Sequence, residues 1–99
     1  MPEALQRLEQ EMQKARAENH SFLKVIHGYG STGLGGDIRV AVQKRLREMA
    51  ESGEIRGCIY GENWSRGDDV TWKLLQQQPE LKQDTDLGRG NPGITIILL

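Results

Sequence analysis

The stretch that most constrains this fold is "FLKVIHGYGSTGLGGDIRVAVQKRL", running from Phe22 to Leu46. A five-residue apolar run rich in strand formers ends at Ile26, glycines occupy positions 28, 30, 33, 35 and 36, and helical periodicity follows. Strand, glycine turn and amphipathic helix in that order form the first two-thirds of a β–α–β unit. The chain must therefore place a helix across a sheet.

The flanking segments extend this pattern. Leu5, Leu8, Met12 and Ala15 recur at steps of three and four, predicting a helix that Pro2 can open and that Asn19, His20 and Ser21 end. After the glycines, Ile38, Ala41, Val42, Leu46 and Met49 mark a second helix, stopped by Gly53 as a left-handed cap. "EIRGCIY" reads as a second strand. Asp68 or Asp69 can cap a short helix over about Val70 to Gln77, ending before Pro79. "NPG" predicts a type II turn with Pro92 and Gly93 at its centre, feeding the buried strand "ITIILL", Ile94 to Leu99. Strands alternating with helices suggest a mostly parallel sheet, and the long connection from Gly61 to Gly93 is where mobility or binding is expected. Within it Trp72 is read as core, with Trp64 left open.

Ninety-nine residues make one domain, 1–99, with one modest core. The formal charge is −1, so any nucleic-acid affinity must come from a local basic patch. Cys58 is the only cysteine, which excludes an internal disulfide and a cysteine-based metal site and suggests a cytoplasmic setting. No apolar run approaches a membrane span.

"GYGSTG" satisfies the G-x-G-x-x-G pattern, but the surroundings argue against a dinucleotide site. The chain is too short for that fold, and no acidic residue ends the following strand. A Walker loop is excluded because no Gly-Lys-Ser/Thr follows. What survives is an anion site: unpaired amides and the helix dipole favour a phosphate at a helix start. Asp37 argues for a plain capped turn instead, whereas Arg39, a cation in an expected first turn, argues for an anion nearby. His27, at the C-terminal end of the strand, can act as acid, base or phosphate donor, or serve as a structural histidine bonded to a loop carbonyl. Tyr29, Trp64 and Trp72 are candidate stacking residues.

"VIHGYGSTG", then "IRVAVQKRL", then "GNPGITIILL" together resemble the small MutS-related (Smr) domain family. Its His-Gly-x-Gly motif matches His27-Gly28-Tyr29-Gly30, its hydrophobic-Arg pair Ile38-Arg39, and its Gly-x-Thr strand Gly93-Ile94-Thr95. The resemblance implies an α+β two-layer sandwich of β-α-β-α-β-β order, similar to the C-terminal domain of translation initiation factor three, with a small mixed sheet packed by two main helices. It also implies nucleic-acid binding, to DNA or structured RNA, and in some members nicking or cleavage.

The family's first strand carries a Leu-Asp-x-His motif, and this chain, starting Met1-Pro2, has none. The family order would leave one edge of "FLKVI" unpaired. An upstream start, a tolerated short edge, or pairing of two chains as a homodimer would each resolve this. The site expected is His27 as the catalytic candidate, with Gly28, Tyr29, Gly30, Gly33 and Arg39 on a phosphate and a divalent metal, Mg or Mn, held mainly by substrate. A non-catalytic RNA- or protein-binding module using the same face is the alternative. An enzyme acting on a small phosphorylated molecule is a third reading.

Overall fold

The closing apolar run becomes the middle of the sheet. The computed structural model describes residues 2–28 and 34–99, with the side chains of 5–28 and 38–99. Helix α1 (Pro2–Ala17) leads to strand β1 (Phe22–Ile26), helix α2 (Leu34–Ser52), strand β2 (Gly57–Tyr60), helix α3 (Asp69–Gln77) and strand β3 (Ile94–Leu98). Short 3-10 turns, Gly61–Asn63 and Pro79–Gln83, flank α3. The strand order is β1-β3-β2.

Both ladders are antiparallel, correcting the mostly parallel, mixed sheet expected. β1 and β2 do run parallel to each other across the α2 crossover. β3 inserts between them in the opposite direction and takes both their inner edges. Ile94, Ile96 and Ile97 are at most 1% exposed because a middle strand covered on both faces has no wet side, which explains an apolar sequence interrupted only by Thr95.

The pleat divides the core into two. Leu23, Val25, Cys58 and Ile97 face α1 and α2, joining Leu8, Met12, Val42, Leu46 and Met49. Phe22, Ile59, Ile94 and Ile96 face the opposite way, against Trp64, Leu74 and Leu75. The Gly61–Gly93 connection is therefore half of the core. In α3 the inward stripe is Thr71, Leu74 and Leu75, with Asp68 capping the helix by accepting the Thr71 amide at 3.0 Å. That stripe leaves Trp72 55% exposed, correcting its expected place in the core, while Trp64, which the sequence left open, is fully buried.

A polar clasp ties the connection to β1. Lys24 points away from α1 and donates to Asp84 at 3.0 Å and Asp86 at 2.6 Å. The Trp64 indole also donates to Asp84 at 3.3 Å, and the Asn91 amide donates to Asp86 at 3.0 Å. Burial works against the Lys24 ammonium, but its bonds to Asp86 and Asp84 outweigh that and hold its pKa above the ordinary lysine value. Burial also works against the Asp84 charge, yet the Asp86 amide, Lys24 and Trp64 hold its carboxyl below the usual range. Lys24, then Asn91, hold Asp86 down.

Two chain-reversal expectations fare differently. Gly53 follows α2 at φ +83, the left-handed cap predicted. Gly93 has no positive φ, so "NPG" is not a type II turn. The Asn91 side chain instead accepts the Gly93 amide at 2.8 Å, making an Asx turn.

Candidate nucleic-acid interface

β1 and β2 end on the side of the sheet where β3 begins. His27, Glu62, Gly93 and Thr95 are gathered there, with Arg39 arriving from α2. Thr95 sits in the centre, opposite Val25 on one side and Tyr60 on the other, and is fully buried.

His27 is fixed from three directions. Its backbone amide and that of Gly28 both donate to the Gly93 carbonyl, at 2.9 and 3.0 Å. Nδ1 lies 2.7 Å from the Gly28 carbonyl, which can only accept, so Nδ1 carries the proton. In the neutral ring Nε2 then accepts from the Thr95 hydroxyl at 3.0 Å. The ring is half-buried, and its proton-accepting nitrogen contacts a hydroxyl that can rotate to suit either protonation state. Gly28 has φ +80, a conformation that favours glycine, and its amide is already engaged by Gly93. In this structure its part is to shape the turn. Tyr29, Gly30 and Gly33 lie outside the described residues, as does the side chain of Asp37.

α2 starts at Leu34, so the last two glycines of the run belong to its first turn and Arg39 to its second. The macrodipole argument for Arg39 is correspondingly weaker, because the effect fades beyond the first turn. Its guanidinium is paired with an acid instead: Nη2 donates to Glu62 Oε2 at 2.7 Å, while Nε is buried with no partner among the described residues. Among the described residues no hydrogen bond links the His27–Thr95 pair to the Arg39–Glu62 pair. Of the other basic residues on α2, Arg45 meets Glu9 at 3.1 Å. Nearby, burial pushes the Cys58 thiol up despite a bond from Tyr60 and the charge of Arg47.

Sequence reasoning named Thr95 only within the Gly-x-Thr motif, without a role, and gave Glu62 and Asn91 none at the site. Thr95 carried a signal, since a hydroxyl inside an apolar middle strand must find a partner. Glu62 carried none, because the packing that sets it beside Arg39 is long-range, whereas Asn91, two residues before Gly93, carried the local signal of an Asx turn. Among the described residues no three His, Cys, Asp or Glu side chains gather into a set able to hold a metal ion. Among the described residues no helix is long and apolar enough to cross a membrane.

Beside β1, whose outer edge has no partner strand among the described residues, lies an open groove of about 580 Å³. Leu8, Leu23, Val25, Ile38 and Val42 line it, and Ile26, 77% exposed, stands at its mouth.

A family model described as the Smr domain matches residues 1–75, from the start of the chain into α3. No curated protein and no solved structure matches the chain.

Proposed function

The chain belongs to the Smr domain family, and on that premise we propose that it binds nucleic acid through the sheet end that carries His27 and Arg39. The observation that carries this reading is the His27–Thr95 bond. It joins the first and last motifs of the chain and holds an imidazole with one defined proton at the open end of β1. The glycine loop, through Tyr29, Gly30 and Gly33, would supply phosphate contacts, and Arg39 the nearest guanidinium. Phosphodiester cleavage, of DNA or RNA, is the finer form of the proposal. His27 Nε2 is its acid–base group, and Mg or Mn enters with the substrate phosphate because the described side chains form no ligand set. The non-catalytic alternative is binding of structured RNA or of a protein at the same face.

Binding to labelled oligonucleotides with an affinity that falls steeply with salt tests the first part, and salt-insensitive binding would refute phosphate contact. Nicking of supercoiled plasmid with Mg or Mn, abolished in His27→Ala while the circular dichroism spectrum persists, supports cleavage; no nicking by the wild-type chain leaves the binding module. The β1 edge supports a further element, pairing of two chains. Lysines commonly guard strand edges, but Lys24 is turned aside and neutralised by Asp84 and Asp86, leaving Ile26 exposed beside an open groove. Sedimentation equilibrium should show a dimer that Ile26→Lys dissociates; a wild-type monomer removes this element.

A further inference from the structure

The Arg39–Glu62 pair is incompletely matched. A guanidinium presents Nε and Nη2 as the two teeth of one fork, suited to two oxygens of a single anion. Glu62 takes only Nη2, at 2.7 Å, and the neighbouring Nε is buried without a partner among the described residues. Glu62 is held in place by its backbone. It follows Gly61, which is buried so tightly that a Cβ there would run into the Asn91 carbonyl and Ile94. Both members of the pair remain within reach of solvent, with side chains 31% and 38% exposed. Among the described residues Glu62 has no other hydrogen-bond or ion-pair partner.

We propose that Glu62 occupies the position of a backbone phosphate on Arg39, and that nucleic acid binds by displacing this carboxylate from the guanidinium. The inference rests on the nucleic-acid reading above and deepens it. A phosphate offers two oxygens to the fork and satisfies the orphaned Nε, so the exchange replaces a one-tooth contact with a two-tooth one. The net charge of the pair is zero until the exchange occurs. Glu62 thereby sets both the affinity and the threshold at which a weakly bound anion is rejected.

The test compares wild type with Glu62→Gln on labelled oligothymidylate and a labelled duplex, by anisotropy across roughly 50 to 200 mM salt. Glu51→Gln, an exposed change of equal charge, serves as the control. Glu62→Gln should bind about three- to tenfold more tightly at low salt, with a log–log salt slope steeper by about 0.7 to 0.9, one further phosphate. Glu51→Gln should change neither by as much. Arg39→Ala should weaken binding, and adding Glu62→Gln to it should restore nothing. If Glu62→Gln matches Glu51→Gln while Arg39→Ala still weakens binding, displacement is wrong and the nucleic-acid reading stands. If Arg39→Ala binds like wild type, displacement is wrong while nucleic-acid binding stands without Arg39; if neither wild type nor Glu62→Gln binds any probe, both fall. Binding gained only in Glu62→Gln supports the proposal.

Discussion

Replacing Lys24 with Met withdraws the ammonium that joins Asp84 to Asp86 while keeping most of the aliphatic stem. Three donor contacts disappear, at 3.2 and 3.0 Å to Asp84 and 2.6 Å to Asp86, and two adjacent carboxylates are left facing each other. Removing one partner from a fully buried ion pair costs about 3–5 kcal/mol. These side chains retain 24%, 14% and 23% of their exposure, so water offsets part of the loss. The expected destabilisation at neutral pH is about 2–3 kcal/mol, or roughly 10–20 °C in melting temperature for a chain of this size. The sharper test is its pH dependence. Both carboxyls titrate lower in the folded chain than their ordinary value. Their contribution is complete above that ordinary value and disappears as pH falls through the lowered folded values. In Lys24→Met the two acids repel, their folded pKa values rise, and protonation relieves the repulsion. Urea melts should therefore show a wide gap between the two proteins at pH near 7 that narrows towards pH near 3. A gap of constant size would refute the clasp as drawn.

Three further outcomes follow from the same structure. Thr95→Val keeps the shape of a fully buried side chain and removes the hydroxyl bonded to His27. Stability should change by about 1 kcal/mol or less, while the His27 ring nitrogen shifts move and those of His20 stay, and an unmoved His27 would mean that the bond is absent. Gly61→Ala would drive a methyl into the Asn91 carbonyl, a backbone atom that cannot yield cheaply, and should cost at least about 3 kcal/mol in denaturant melts. Iodide should quench the fluorescence of Trp72 but not Trp64, so Trp72→Phe should leave an unquenched protein; equal quenching of both would invert the assignment.

Much of this fold was legible because it follows local chemistry. The stripe Leu8, Met12, Ala15 and the cap at Gly53 are local signals, and both are where the periodicity puts them. Trp72 was misjudged because size and hydrophobicity were weighed above periodicity: the α3 stripe of Thr71, Leu74 and Leu75 leaves no inward position for residue 72. The antiparallel ladders were hidden because alternating strands and helices specify that β1 and β2 run parallel, without specifying that they touch. At the site, the resemblance placed His27, Arg39 and Thr95 in one chain but gave none of their contacts. That Arg39 faces Glu62 is a product of long-range packing, with 23 residues of separation, and no spacing rule reports it.

The position of β3 has a consequence for synthesis. It is the sheet's middle strand and, in chain order, the last. Until β3 has emerged from the ribosome, β1 and β2 own no partner, since among the described residues each pairs only with β3. α1 and α2 can coil early from local contacts, but the sheet must wait for long-range closure, which is slow. His27 acquires its Thr95 partner at that same final moment. A nascent chain therefore carries β1 and His27 before it possesses the assembled His27–Thr95 pair, which forms only once β3 has joined the sheet.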